Sequence, residues 1–276
     1  MGKLYDADWI RSYYDEYGMT EWNRWDKSAV EAVKFQIHLH YLRRYVSKDD
    51  RVLEIGAGAG RFTRELARIT NHVVVADLSP AQLELNRKHS SEHDYANSID
   101  EFCEVDVLDL AERFPANTFN SVVCYGGVVS YTLDQRGRAI EQLAHVTRPG
   151  GHVLISVMCL FGTVHQFLPQ ILGLDPELNK RIVRSGDITE DEAEASRHRH
   201  HLFRSHELRS LIDANGLTVV AMSASNSVSA AWDDEIPHAH DDPGRWNQLI
   251  EMEVEASAQT GCLDMGTHII AVGRKP

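Results

Sequence analysis

Apolar positions change period along the chain, and the changes mark its elements. Residues 6 to 47 repeat at helical spacing. Trp9, Tyr13 and Tyr17 recur every four residues, and after Gly18 the face Val30, Val33, Ile37, Tyr41, Tyr45 predicts a helix from about Trp22 to Val46. Short apolar runs then alternate with helical stretches. Val52, Leu53 and Ile55 read as a buried strand, and Phe62, Leu66 and Ile69 as the helix after it. His72 to Asp77 predicts a second strand, and Ser79-Pro80 the N-cap and first position of a helix through Leu83 and Leu85. Residues 101 to 110 read as a third strand and its exit, and Val122 to Tyr125 as a fourth. A helix from Asp134 to Val146 is followed by Thr147-Arg-Pro-Gly-Gly151, read as a turn that closes the helix and reverses the chain. His152 to Val157 is the fifth strand. Ser205 is read as the N-cap of a helix ending at Gly216. Leu217 to Met222 and Thr267 to Val272 are the last two strands.

Strand-helix alternation of this kind predicts an α/β fold with a doubly wound, mostly parallel sheet. Residues 158 to 203 leave that rhythm and form a cap insertion. Residues 225 to 262 form a second one, with a helix around Arg245 to Ala258. The organisation expected is a helical lid over 1–47, a core over 48–157, the cap over 158–203, and completion of the sheet over 204–276.

Charge and composition narrow the function classes. The 276 residues carry a net charge of −13, which argues against a polyphosphate partner. No apolar run reaches the roughly 20 residues that span a bilayer, and no signal core opens the chain. The four cysteines form no Cys-x-x-Cys and read as buried thiols in a reducing compartment. The expectation is a cytoplasmic protein, monomer or homodimer, with a small-molecule substrate and neither nucleic acid nor membrane as partner.

Candidate chemistry concentrates at Glu54-Ile-Gly56-Ala57-Gly58-Ala-Gly60. Glycine lets a ligand lie on the backbone, and the following helix offers free N–H groups. A dinucleotide loop places its third glycine one residue later, where Arg61 stands. Glu-x-Gly-x-Gly-x-Gly at a strand end resembles the first motif of class I S-adenosylmethionine-dependent methyltransferases. Asp77 after the second strand, Asp106 after the third and Pro149-Gly150-Gly151 before the fifth add to the resemblance.

That resemblance implies a Rossmann-like sheet with an antiparallel last strand inserted between the fifth and sixth. It implies S-adenosylmethionine as cofactor, in-line methyl transfer to O or N, and S-adenosylhomocysteine as product. Contacts are implied for Glu54, Gly56, Ala57, Gly58 and Gly60. Asp77 falls where an acid holds the ribose hydroxyls, with Leu78 and Gln82 beside it. Asp106 falls where an acid takes the adenine amino group, with Val107 nearby. Tyr125 ends the fourth strand, and Tyr14 represents the lid. The paired glycines Gly126 and Gly127 suggest close backbone approach to a ligand. Cys124-Tyr-Gly-Gly127 departs from the Pro-Pro-Tyr type of ending, which weakens assignment to the branches that methylate DNA bases or protein glutamine.

If the reaction uses a general base, Tyr131, His165 and His201 are the candidates. His198, His200 and His201 lack the spacing of a helical metal pair, although His198 and His200 share one side of a strand. They read as polar surface or hydrogen-bonding groups, and no metal is assigned. Two other functions stay open. One is a methyltransferase-like fold recruited as a cyclase, isomerase or binding protein. The other is an NAD-dependent oxidoreductase, which the glycine spacing disfavours.

Overall fold

The computed structural model describes residues 5–189, 199–236 and 241–276. Its strands in chain order are β1 (Val52–Ile55), β2 (Val73–Asp77), β3 (Ile99–Glu104), β4 (Phe119–Cys124), β5 (Thr147–Met158), β6 (Asp187–Ile188), β7 (His200–His201), β8 (Thr218–Ala224) and β9 (His268–Arg274). Seven of them make one sheet in the order β3-β2-β1-β4-β5-β9-β8. β1 to β5 are parallel, and β9 runs antiparallel between β5 and β8. This is the Rossmann-like sheet with the inserted antiparallel strand that the resemblance implied. β6 and β7 form a separate two-stranded ribbon.

The central strands are apolar on both faces because helices cover both. β1 and β2 are buried throughout. The helices described are α1 (Ala7–Tyr17), α2 (Thr20–Asn23), α3 (Ala29–Tyr45), α4 (Arg61–Leu66), α5 (Pro80–Glu92), α6 (Leu110–Arg113), α7 (Val128–Tyr131), α8 (Arg136–Val146), α9 (Leu160–Gln166), α10 (Leu168–Leu172), α11 (Pro176–Ser185), α12 (Ser205–Ala214) and α13 (Pro243–Ser257). On one face, Val33, Ile37 and Leu42 of α3 and Trp246 of α13 pack on Val73, Val123 and Ile270. On the other, Ile140 and Leu143 of α8 and Leu208 and Ile212 of α12 pack on Leu53, Val122 and Ile155.

Three sequence expectations need correction. The helix expected from Trp22 to Val46 is broken. Arg24–Asp26 tighten into a 3₁₀ turn that buries Trp25, and the Ser28 side chain accepts from Glu31 N–H to start α3 afresh. As expected of a strand and its exit, β3 ends at Glu104 and Asp106 lies in the connection, where its side chain accepts from Leu108 N–H. Thr147 to Gly151 is not a turn outside the strand. α8 ends at Val146, and these residues form the irregular start of β5. Gly151 is required there because a Cβ would sit 2.5 Å from the Asn120 carbonyl oxygen. Ser205 is the first helical residue of α12, not its cap. Asp264 caps it from a distant loop, accepting from Ser205 N–H at 2.7 Å and Ser205 Oγ–H at 2.6 Å.

The cap, α9 to α11 with the β6–β7 ribbon, sits beside the carboxyl end of the sheet. Cys159 N–H donates to the Thr267 carbonyl and Leu160 N–H to that of Phe203. Gly162 touches the 262–266 loop so closely that a Cβ would fall 1.8 Å from the Gly266 carbonyl oxygen. His198 lies outside the described residues.

Candidate active site

The glycine loop leaves β1 with Gly56, Gly58 and Gly60 at φ +73°, +53° and +101°. Side chains rarely adopt that region, which explains the three glycines. The turn is held by side chains from below. Asn86 Nδ2 donates to Thr63 Oγ1 at 2.8 Å and to the Gly58 carbonyl at 3.3 Å. Thr63 Oγ1 donates to Glu54 Oε2 at 2.6 Å. Glu54 is buried behind the loop, and its pKa is pushed up to about 8. Burial raises it, the Thr63 hydrogen bond opposes, and the charge of Asp77 adds to the rise. Glu54 therefore supports the loop and does not line the cleft. The backbone at Gly60 leaves no room for a side chain, because a Cβ there would meet Asn86 and the Tyr95 hydroxyl.

Asp77, at the carboxyl end of β2, accepts from Gly58 N–H and Ser79 N–H, both at 2.8 Å. Burial lifts its pKa to about 6 against those two N–H groups. The structure brings nine of the sequence candidates to one cleft: Tyr14, Gly56, Gly58, Asp77, Leu78, Asp106, Val107, Tyr125 and Tyr131 all line it. Glu54, Ala57, Gly60 and Gln82 stand behind its walls. Gln82 is buried and donates to the carbonyls of Tyr14 and Gly18, at 2.9 and 3.1 Å, which ties α1 to α5.

α1 forms the roof. Arg11 Nε donates to the Leu78 carbonyl, and Ser79 Oγ donates to Asp15 at 2.5 Å. Tyr14 and Tyr131 hydroxyls meet at 2.9 Å. Tyr5 hydroxyl donates to Asp106 Oδ2 at 2.5 Å, so the lid already occupies one oxygen of the acid matched to adenine. Sequence reasoning missed Tyr5 and Glu21 as lining residues. Neither belongs to a motif, and only the fold of the lid brings them in.

A second and larger cavity, of about 670 Å³, lies between the lid and the cap. Arg24, Lys27, Glu31 and Lys34 border it on one side, Phe167, Ile171, Leu174 and Ile182 on another, and Met158, His200 and His268 at its floor. It adjoins the cleft. The Tyr131 ring of the cleft lies 6.2 Å from the His200 ring of the chamber. Met158 Cε stands 3.1 Å from where a Cβ of Gly127 would be, and Gly126 lines the cleft.

The base candidates fare unequally. Tyr131 lines the cleft, with a pKa raised by burial. His165 is exposed on α9 and lines neither cavity. His201 is enclosed away from both, with Nδ1 2.6 Å from Asp187 and Nε2 2.7 Å from Glu207. Burial would lower its pKa, but the two carboxylates prevail and raise it. With both nitrogens donating, the imidazolium has no lone pair for a substrate proton. Its work is to clamp the cap ribbon to α12. Among the described residues no group of three His, Cys, Asp or Glu side chains is placed to hold a metal, and no helix is long and apolar enough to cross a membrane.

Comparison with known proteins agrees with this geometry. Residues 52–151 match the model of a methyltransferase domain family. The ubiquinone/menaquinone biosynthesis C-methyltransferase of Hahella chejuensis is 31% identical over 107 residues, 38% of this chain and 41% of that protein. The chain thus spans about two fifths of that relative's length. Two solved structures share the fold across nearly the whole chain. An S-adenosylmethionine-dependent methyltransferase of Thermotoga maritima, described as a possible histamine N-methyltransferase, has TM-score 0.61 and 14% identity, covering 97% of this chain and 100% of that one. The 1,6-didemethyltoxoflavin N1-methyltransferase of Burkholderia thailandensis, with S-adenosylhomocysteine bound, has TM-score 0.55 and 16% identity, covering 98% and 88%. Fold, glycine loop and family match define a Rossmann-like methyltransferase domain. Residues 52–151 carry that domain, which is similar to those of S-adenosylmethionine-dependent methyltransferases.

Proposed function

We propose that the chain transfers a methyl group from S-adenosylmethionine to O or N of a small molecule held in the chamber beneath the cap. The observation that carries this reading is the adjacency of the two cavities, with the glycine loop and Asp77 in the first and an apolar-walled space in the second. S-adenosylmethionine supplies an electrophilic sulfonium methyl. The protein's part is alignment and exclusion of water.

In this reading Gly56 and Gly58 let the cofactor lie on the loop. The Asp77 carboxylate receives the ribose hydroxyls on lone pairs left free by Gly58 and Ser79 N–H. Val107 and Leu78 sandwich the adenine, and Asp106 receives its amino group. Tyr14 and Tyr131 stand between donor and acceptor. Their raised pKa values keep both hydroxyls neutral, as donors for orientation.

Titration calorimetry with S-adenosylmethionine tests the donor site. Asp77→Ala removes two charge-assisted hydrogen bonds and should weaken binding roughly 100-fold or more. Gly58→Leu should abolish it, since a left-handed φ and Glu21 Cγ at 3.2 Å leave a side chain no place. Unchanged affinity in both variants would sink the assignment. Incubation with isotope-labelled S-adenosylmethionine and metabolite extracts, read by mass spectrometry, identifies the acceptor.

A further inference from the structure

The chamber has chemistry that the methyl-donor site does not explain. Its walls are mainly apolar, yet three cations, Arg24, Lys27 and Lys34, border it against one acid, Glu31, in a chain of net charge −13. At its floor is His268, the first residue of β9, where the inserted strand meets the cap. Ser225 holds its backbone on both sides. Its N–H donates to Ser225 Oγ at 3.2 Å, and its carbonyl accepts from Ser225 N–H at 2.8 Å. The imidazole is less committed. Nδ1 lies 3.4 Å from Thr267 Oγ1, and Nε2 is buried with no hydrogen-bond partner among the described residues.

Leaving a buried polar atom unpaired forfeits its hydration with nothing in return, so a nitrogen placed this way asks for a partner that arrives later. Its position says from where. Nε2 lies 3.9 Å from the site of a Cβ on Gly127, in the loop that divides chamber from cleft. The absence of a side chain at Gly127 (φ +86°) opens that approach. The charged and titratable groups around the ring are Arg24, Lys34, His38 and His200. They act with burial to hold it neutral.

We propose that His268 is the contact for the methyl acceptor, and that the chamber takes a mainly apolar molecule bearing one protic O–H or N–H beside the reacting centre. With Nδ1–H donated to Thr267, the Nε2 lone pair receives that proton donor in a hydrogen bond. This turns the nucleophile's own lone pair toward Gly126 and Gly127, where the methyl would be presented. As the O–CH3 or N–CH3 bond forms and the S–CH3 bond breaks, the acceptor's proton passes by way of Nε2 to solvent when product leaves, since the neighbouring cations oppose a lasting imidazolium. Arg24 and Lys34 are already paired, with Glu21 at 3.5 Å and Glu31 at 2.8 Å. The inference rests on the methyl-transfer reading for its purpose but not for its test.

The full chain is titrated with 1-naphthol and with 1-methoxynaphthalene, each with and without saturating S-adenosylhomocysteine. The two probes share an apolar body and differ in the single proton. The wild type should bind the naphthol roughly tenfold more tightly, the worth of one buried hydrogen bond. His268→Phe should keep the ether's affinity and lose the preference. His268→Asn, which can still accept, should recover part of it. Ile182→Trp, which fills the chamber, should weaken both probes. An undiminished preference in His268→Phe overturns the proposal, as does absence of saturable binding of either probe to the wild type. If the preference behaves as expected but S-adenosylhomocysteine fails to bind, the methyl-donor reading falls and the acceptor site stands.

Discussion

Glu54 shows how one buried side chain links the cleft to stability. It is the only acid in β1, enclosed among Val52, Leu53 and Ile55. In the unfolded chain it titrates near 4.5, and in the folded protein at about 8. Between those values the native state holds a proton that the unfolded state releases, so stability falls as pH rises through this window. Asp77 acts in the same direction between 3.8 and about 6. Each pKa unit corresponds to about 1.4 kcal/mol, so Glu54 alone should cost a few kcal/mol by pH 8. Glu54→Gln still accepts from Thr63 Oγ1 but cannot ionise. Urea unfolding from pH 5 to 8 should show the wild type losing stability relative to this variant as pH rises. Parallel profiles would mean that Glu54 ionises no differently in the fold. The glycine at position 60 and Asn86 hold the other side of the same support, which is why a motif residue can matter without touching a ligand.

Elements show where reading the sequence worked and where it stopped. β1, β2 and the Ser79-Pro80 helix start were legible because their determinants are local: a β-branched run, a hydroxyl cap and a proline at the first position. Several of the candidates that line the cleft were legible with them, since Gly56, Asp77 and Tyr125 sit at strand ends. The start of α12 was not legible. Its cap comes from Asp264, 59 positions away, whose carboxylate takes both Ser205 groups. The role of His201 was hidden for the same reason, because Asp187 and Glu207 meet it only through the folded ribbon. The Pro149-Gly150-Gly151 segment, read as a turn, lies within the start of β5, because an irregularity there against Asn120 also demands glycine. The Asp264 cap carries a prediction. Asp264→Ala should cost about 1–2 kcal/mol, the usual worth of an N-cap, in urea unfolding. Ser205→Ala should cost less, because the backbone N–H bond survives. Equal losses from the two would show that the hydroxyl contact, not the cap, matters.

At the scale of the whole molecule, the fold joins a rigid sheet to a lightly held roof. No residue of α1 is fully buried, and the helix is fastened to the core by polar contacts at Leu78, Ser79, Gln82, Asp106 and Tyr131. Helices with few buried apolar contacts open at low free energy, whereas β1, β2 and β4 lie in the core and open only with the entire domain. A ligand that binds the covered state stabilises it by mass action. Two of the fastenings end on residues matched to the cofactor, Asp106 through Tyr5 and the Leu78–Ser79 turn through Arg11 and Asp15. On the proposed reading, a cofactor at Asp106 would displace the Tyr5 hydroxyl or share the carboxylate with it, and would gain the roof over its other side. Amide hydrogen exchange followed by mass spectrometry should show residues 7–17 exchanging rapidly in the free protein and slowing on addition of S-adenosylhomocysteine, with the peptides of β1 and β4 unchanged. Tyr5→Phe, which frees Asp106 without removing the ring, should leave that protection in place and tighten binding by a fewfold at most. Exchange in α1 that does not respond to a ligand shown by calorimetry to bind would mean that the helix packs beside the site without closing it.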